Sequence, residues 1–266
     1  MIRRLIRKAI QARQHRQMIR QWGTPSDPPI RTELPGFDEA FRGVDVGGLL
    51  GAVATFQEEL KRLPKALFLN PWIGPADVAF YYATIREARP ARIVEVGSGY
   101  STEVAIRAIE RNGSGTITCI DPEPRKLLDI ARVRHVKCKV EDADPELIKE
   151  LERNDILFID SSHTAAEALF HFSILEQLPA GVHVHYHDID YPWPRPRPGW
   201  DEDEAIHKFL TSKKWQVRLF GSALTRDHLA ELRAVIPYYS STPYRHYNAL
   251  WLVSGAMTAP GCPGLP

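Results

Sequence analysis

Between residues 92 and 186 the sequence alternates short apolar segments with longer segments of helical periodicity, and this pattern restricts the fold more than any other feature. The apolar segments, rich in Val and Ile, lie at residues 92–96, 116–121, 135–140, 155–160 and 181–186. The helical segments lie at residues 101–111, 124–132, 144–153 and 163–178. Strands that alternate with helices form parallel sheets covered on both faces. We therefore predict an α/β fold with a Rossmann-like, doubly wound sheet. Apolar segments at 215–220 and 249–253 would bring it to about seven strands.

The length of the chain suits one large domain with appendages. Its 266 residues are 44% hydrophobic, which is enough to bury a full core. We predict a basic amphipathic tail and linker at 1–36, an N-terminal helical extension at 37–75, the α/β domain at 76–255 and a flexible tail at 256–266. The last segment consists mostly of Gly, Pro and Ala, which have little surface to bury.

The first 20 residues are basic and contain no acidic residue, and their apolar residues recur at helical spacing. Such a helix could rest on an anionic membrane surface, but a solvated tail or a contact in a homo-oligomer would have the same composition. No apolar run is long enough to cross a membrane, and no cleavable signal is visible. Three cysteines without a CxxC pair are typical of a reducing compartment. We expect a cytoplasmic protein, with membrane-peripheral attachment as an option. The net charge of +1 gives no reason to expect a nucleic-acid partner.

A glycine turn follows the first predicted strand, in the run EVGSGYST. Gly97 and Gly99 allow a tight turn, and a helix from about Ser101 would point free amide groups at an anionic ligand. Asp121 ends the next strand, where an acid can accept both hydroxyls of a ribose. A nicotinamide oxidoreductase would share these features. However, Thr102 stands where a third glycine is expected, and the chain has no Tyr-x-x-x-Lys set for hydride transfer.

The runs EVGSGYST, IDPEP and VEDAD resemble the first three cofactor motifs of the class I methyltransferases, which use S-adenosylmethionine. The resemblance covers roughly residues 76 to 254 and implies the strand order 3-2-1-4-5-7-6 with an antiparallel final strand. It also implies that Glu95 and the Gly97 to Gly99 turn hold the methionine portion, Asp121 the ribose, and Asp142 with Ala143 the adenine edge. The cofactor residues expected on this basis are Glu95, Gly97, Ser98, Gly99, Ser101, Asp121, Asp142 and Ala143.

Acids and histidines follow the fourth and fifth predicted strands. Asp160 and His163 follow the fourth, and His187 and Asp188 follow the fifth. Neighbouring parallel strands lie about 4.8 Å apart, so these side chains can meet over one pocket. Asp160, His187 and Asp188 could hold Mg²⁺ or Mn²⁺, and an imidazole ligand favours Mn²⁺ or another transition ion. His163 could then act as general base toward a hydroxyl.

This arrangement resembles the metal-dependent O-methyltransferases, both the catechol type and the group that acts on macrolide and rhamnosyl sugars. In the sugar group a glutamate stands where this chain has His187, so both the identity and the presence of the metal stay open. We expect His183 and His185, in the same alternating run, to be hydrogen-bonded packing residues inside the strand.

The predicted function is an S-adenosylmethionine-dependent methyltransferase that acts on a hydroxyl of a small molecule or saccharide, with a divalent metal as an option. The alternatives are a metal-independent methyltransferase with another acceptor, an NAD(P)-binding oxidoreductase and a non-catalytic scaffold.

Overall fold

A computed structural model describes residues 43–124, 131–189, 202–211, 215–241 and 247–255. The basic tail at 1–36 and the C-terminal tail at 256–266 lie outside these ranges, so membrane contact and oligomer formation through residues 1–20 stay predictions. Within the described ranges, no helix combines the length and the apolar character that a membrane crossing requires.

The centre of the molecule is a seven-stranded sheet in the order β3-β2-β1-β4-β5-β7-β6, which confirms the predicted order. The strands are β1 (Arg92–Val96), β2 (Thr116–Ile120), β3 (Val133–Val136), β4 (Ile156–Ile159), β5 (His183–Tyr186), β6 (Trp215–Phe220) and β7 (Leu250–Ser254). Strands β1 to β5 are parallel, and β7 runs antiparallel to both of its neighbours. The strand order reverses where β1 lies between β2 and β4. In open α/β sheets such a reversal leaves a crevice at the carboxyl ends of the strands.

Helices cover both faces of the sheet, as the alternation predicts. They are α1 (Val46–Thr55), α2 (Gln57–Arg62), α3 (Lys65–Phe68), α4 (Pro75–Ala88), α5 (Tyr100–Asn112), α6 (Glu146–Lys149), α7 (Ala165–Leu175), α8 (Glu202–Thr211), α9 (Gly221–Asp227) and α10 (Leu229–Val235). One apolar core lies between the sheet and helices α1, α4 and α5, and a second lies between the sheet and helices α7 and α8. In the second core the rings of Phe172 and Phe209 stack at 4.0 Å.

Helix α4 begins with a proline, which lacks the amide hydrogen that a first-turn residue leaves unbonded. The amide of Gly74, just before it, donates to the side chain of Asp77 at 2.9 Å. Helix α7 is capped by Thr164, whose hydroxyl accepts from the amide of Glu167. These caps fix the starts of two helices that border the carboxyl end of the sheet.

The region around β3 differs from the prediction. The apolar segment at 135–140 predicts a strand, but the strand lies at Val133–Val136 and pairs Val133 with Ile117 of β2. Residues 140–142 form a 3₁₀ turn instead. Valines occur in both segments, at Val133, Val136 and Val140, so pairing with β2 decides which residues form the strand. The predicted helix at 144–153 is shortened to Glu146–Lys149, and most of the one at 124–132 falls outside the described residues.

His183 and His185 are buried inside β5, as predicted. The ring of His185 stacks on Phe158 at 4.1 Å and meets Trp251 edge-on. The prediction that both would be hydrogen-bonded is wrong for their Nδ1 atoms, which have no partner among the described residues. Aromatic stacking takes the place of a hydrogen bond for His185. Burial lowers the pKa of both rings, that of His183 to about 4.

Candidate active site

The glycine turn between β1 and α5 lies directly against the end of β4. Gly97 has a φ of +94°, and a Cβ atom at this position would overlap the carbonyl oxygen of Asp160. The amide of Gly97 donates to Ile120 of β2, and the amide of Asp160 donates to Val96 of β1. Only glycine suits this backbone conformation at such close approach. The turn and the acid that ends β4 therefore form one continuous wall.

Glu95 supports this turn from below and is fully buried. Its carboxylate accepts hydrogen bonds from Tyr81 at 2.9 Å and from Thr102 at 2.5 Å, and Thr102 in turn accepts from the amide of Gly99. Burial raises the pKa of Glu95 to about 7, although these hydrogen bonds act to lower it. Glu95 therefore orders the turn from inside the protein. It has no exposed surface with which to contact a ligand directly.

Asp121, at the carboxyl end of β2, faces the glycine turn. Its Oδ2 atom accepts from the hydroxyl of Ser98 at 2.7 Å, and its Oδ1 atom accepts from the amide of Glu123 at 2.9 Å. Ser101 lies in the first turn of α5 and is buried. The turn, the start of α5 and Asp121 thus form one edge of the crevice.

Asp142 and Ala143 follow β3 at the same end of the sheet. Asp142 ends the 3₁₀ turn with an exposed side chain, and the amide of Ala143 donates to Val140 at 3.2 Å. The site thus presents the Asp142 carboxylate to solvent, while the Ala143 amide already has a backbone partner.

Asp160, His187 and Asp188 come together at the ends of β4 and β5, with one ligand atom from each within 4.8 Å of the others. The Nδ1 atom of His187 lies 3.2 Å from Asp188 Oδ1 and 3.7 Å from Asp160 Oδ1. The side chains of Asp160 and Asp188 are 32% and 20% exposed, whereas that of His187 is 3% exposed. The two carboxylates are therefore partly open to solvent, whereas the imidazole is buried.

His163 lies against the same acids and contacts one further carboxylate. Its Nε2 atom is 3.5 Å from Asp160 and 3.7 Å from Asp188, and its Nδ1 atom is 2.7 Å from Glu202 of α8. Burial acts to lower the pKa of His163, but the bonds to Asp160 and Glu202 outweigh it and raise the pKa to about 10. The pKa of Asp160 is lowered because the charges of His187 and His163 outweigh its burial.

The backbone around this cluster is strained at two of its members. His163 has a φ of +59° and Asp188 a φ of +58°, in the left-handed region that non-glycine residues seldom adopt. Such conformations cost of order 1–3 kcal/mol each and concentrate at functional sites. Asn248, just before β7, donates to Asp188 Oδ1 at 2.7 Å and holds this carboxylate in place.

The donor set fits a divalent cation. Two carboxylates and an imidazole suit a first-row transition ion, and the carboxylates alone would suit Mg²⁺. Among the described residues, neither ring nitrogen of His187 has a hydrogen-bond partner, although the ring is buried. A buried polar atom without a partner is costly, and a ligand on Nδ1 would remove part of that cost.

Sequence reasoning missed three residues of the site: Asp77, Glu202 and Asn248. Glu202 belongs to the acidic run DEDE, in which nothing distinguishes one carboxylate from the next. Asp77 stands in an apolar helical segment and Asn248 stands just before a strand. Neither residue belongs to a recognisable motif. Only the packing of α4, α8 and β7 against the sheet brings them to the cluster.

Comparison with protein families gives a match over part of this chain. Residues 94–189 match the family model described as "Methyltransferase domain". This range includes the glycine turn after Val96 and both halves of the acid–histidine cluster. No curated protein matches the sequence.

Solved structures resemble the chain over most of its length. One is the SAH-bound methyltransferase PaMTH1 of Podospora anserina, at 17% identity over 87% of this chain and 99% of that one, with a TM-score of 0.46. Another is an O-methyltransferase from Bacillus cereus in complex with SAH, at 16% identity over 84% and 98%, with a TM-score of 0.44. A third is MycE from the mycinamycin biosynthetic pathway, in complex with Mg and SAH, at 18% identity over 81% of this chain and 55% of that one, with a TM-score of 0.43.

The residues of this chain itself indicate its function. The seven-stranded order and the matched family model agree on the region that carries those residues. Residues 94–189 of this chain are similar to a methyltransferase domain.

Proposed function

We propose that this protein transfers the methyl group of S-adenosylmethionine to a hydroxyl oxygen of a small molecule or saccharide, with a divalent cation at Asp160, His187 and Asp188. The observation that carries the proposal is the close packing of Gly97 on the carbonyl of Asp160. A cofactor held by the glycine turn and a hydroxyl held by the acid cluster would occupy neighbouring halves of one crevice. Their reacting atoms would then be close enough for direct transfer.

The cofactor half is assigned by chemistry. Asp121 would accept from the ribose hydroxyls, and the amides at the start of α5 would face the carboxylate of the methionine portion. Asp142 and Ala143 are proposed for the adenine edge. Glu95 would act indirectly, since its oxygens are bonded to Tyr81 and Thr102. When bound, S-adenosylmethionine supplies a methyl group on a positively charged sulfur, which is an electrophile without further activation.

The acceptor half is assigned to the acid–histidine cluster. Asp160, His187 and Asp188 would hold the cation, which when bound lowers the pKa of a coordinated hydroxyl. The Nε2 atom of His163 lies 3.5 Å from Asp160 and 3.7 Å from Asp188, and Glu202 holds its Nδ1 atom. The negative charge of Asp160 and Asp188 helps to raise the pKa of His163. A cation bound to these acids would offset that charge and lower the pKa of His163 again, so that the ring could accept a proton. The base and the cation site are therefore linked.

The transfer balances with the residues named. The hydroxyl proton passes to Nε2 of His163, the acceptor oxygen forms a bond to the methyl carbon, and the carbon–sulfur bond breaks with its electrons on sulfur. The products are a methyl ether and S-adenosylhomocysteine, and the proton on His163 returns to solvent. A well-placed base contributes roughly 10²- to 10⁴-fold to such a step.

The test is incubation of the purified full chain with labelled S-adenosylmethionine and a panel of sugars, catechols and small amines, with and without EDTA. We expect label on hydroxyl acceptors, lost with EDTA and restored by Mn²⁺ or Mg²⁺. Label on amines alone would overturn the hydroxyl chemistry, and transfer unaffected by EDTA would overturn the cation. A parallel calorimetric titration with NADH separates the oxidoreductase alternative, because binding of NADH but not S-adenosylmethionine would replace the proposal.

A further inference from the structure

The imidazole of His187 lies between two groups of carboxylates. Its Nδ1 edge faces Asp188 and Asp160, and its Nε2 atom lies 3.5 Å from Oδ1 of Asp77 on the opposite side. Both His187 and Asp77 are buried. The ring is thus placed so that one nitrogen can bind an ion while the other faces a separate acid.

Asp77 is held rigidly by its own helix. Its Oδ2 atom accepts from the amide of Gly74 at 2.9 Å, which closes the first turn of α4. Its Oδ1 atom has no hydrogen-bond partner among the described residues and is directed at His187. Helix capping uses only the Oδ2 atom of Asp77, so it does not explain why a second carboxylate oxygen is buried beside His187. A buried carboxylate oxygen without a donor is costly, and a proton on His187 Nε2, 3.5 Å away, would supply one.

We propose, on the basis of the proposed function, that Asp77 fixes His187 with its proton on Nε2 and its lone pair on Nδ1, and that the centre consequently takes a first-row transition ion such as Mn²⁺ in preference to Mg²⁺. Histidines that bind metals usually donate their second ring nitrogen to a carboxylate or carbonyl, which sets the tautomer. Imidazole nitrogen suits transition ions, whereas Mg²⁺ prefers oxygen ligands. Asp77 is therefore a positioning residue that acts through His187.

The substitution Asp77→Asn tests this role without removing the helix cap. The amide oxygen of Asn can still accept from Gly74, but its NH₂ group would then face His187 Nε2 and require a lone pair there. The proton would move to Nδ1, where it blocks the ion. Asp45→Asn is a matched control, because Asp45 caps α1 by accepting from Gly48 and takes no part in the cluster.

The measurement is binding of Mn²⁺ and Mg²⁺ to the full chain stripped with EDTA, followed by calorimetry for both ions and electron paramagnetic resonance for Mn²⁺, without cofactor or acceptor. We expect the wild type to bind Mn²⁺ more tightly than Mg²⁺. Asp77→Asn should lose roughly 10- to 100-fold in Mn²⁺ affinity. Asp45→Asn should bind as the wild type does. His187→Glu should narrow the preference for Mn²⁺ over Mg²⁺. Equal affinity of the wild type for both ions, or unchanged Mn²⁺ binding by Asp77→Asn, would overturn the inference.

A second measurement keeps the inference testable if Asp77→Asn does not fold. Nitrogen NMR of the wild type loaded with diamagnetic Zn²⁺ should show His187 with its proton on Nε2 and the ion on Nδ1, and the reverse assignment overturns the inference. Binding is measured apart from methyl transfer. A protein that binds Mn²⁺ as expected but methylates nothing would refute the proposed function alone. One that retains S-adenosylhomocysteine but binds no ion would refute this inference and the cation of the proposed function, and would leave methyl transfer itself standing.

Discussion

The Nδ1 atom of His163 lies 2.7 Å from the Oε1 atom of Glu202, and both side chains are buried. This contact keeps a proton on Nδ1 and leaves Nε2 directed at the acids of the crevice. Glu202→Gln would offer an NH₂ group to Nδ1 and favour the opposite tautomer. We expect kcat to fall roughly 10- to 100-fold, as for other partners that orient a functional histidine, with KM little changed. Steady-state kinetics with a labelled acceptor measures kcat and KM separately and so checks this prediction.

The effect of Glu202→Gln is compared with that of His163→Gln, which removes the proposed base itself. We expect His163→Gln to lower kcat by about 10²- to 10⁴-fold. Because Glu202 acts through His163, the double variant should be no slower than His163→Gln alone. Losses that multiply in the double variant would indicate a separate role for Glu202.

Asp121 should determine cofactor affinity. Asp121→Asn replaces an acceptor-only carboxylate with a group that can meet only one ribose hydroxyl as an acceptor. The loss of a charged hydrogen bond costs about 1.5–3 kcal/mol, which corresponds to roughly 10- to 100-fold weaker binding of S-adenosylhomocysteine. Calorimetry measures this directly. Glu123→Gln, an exposed acid two residues away, is the control and should bind like the wild type. Unchanged binding by Asp121→Asn would place the ribose elsewhere.

Gly97→Ala should damage both halves of the site. The new methyl group would overlap the carbonyl of Asp160, and the φ of +94° adds backbone strain of about 1–3 kcal/mol. We expect a lower free energy of unfolding in urea together with weaker binding of S-adenosylhomocysteine and of the cation. Gly51→Ala is the control, because Gly51 lies inside α1 with open space around it, and alanine there should stabilise the chain by roughly 0.5–1 kcal/mol. A Gly97→Ala protein as stable as the wild type would contradict the described turn.

Glu95 should make stability depend on pH. Burial raises its pKa from 4.5 to about 7, so the folded chain holds this proton more tightly than the unfolded chain does. Its contribution to stability is therefore fully present below pH 4.5 and is lost as the pH rises to about 7, by about 3 kcal/mol. Glu95→Gln should lack this loss. Urea unfolding from pH 4.5 to 8 in EDTA, without cofactor, gives the difference between the two curves. Parallel curves would mean that Glu95 is ionised throughout.

The sequence predicts most of the sheet because its signals are local. The strand at Arg92–Val96 has its predicted bounds, and the glycine turn does face Asp121 through Ser98. The acids after β4 and β5 meet because parallel pairing brings neighbouring strand ends together, which is a general property of such sheets. The predicted bounds of the third strand are wrong, because pairing with β2, and not the strand's own sequence pattern, decides which residues form it.

The residues that orient the site could not be predicted from local sequence patterns. Asp77 precedes the cluster by more than 80 residues, and Glu202 reaches it from the far side of a segment rich in proline. Their roles depend on the position of α4 and α8 over the sheet, which is set by core packing. Composition and spacing give no information on such a position.

The bond from Asn248 to Asp188 joins residues that are 60 positions apart, and the amide of Ile189 also donates to Asn248, at 2.7 Å. Since chains are made from the amino terminus, the five parallel strands can leave the ribosome before the segment that secures the acid of β5 has been synthesised. The anchoring of Asp188 is therefore one of the late events in the folding of this chain. A nascent chain halted before residue 248 would carry the glycine turn with an incompletely anchored Asp188.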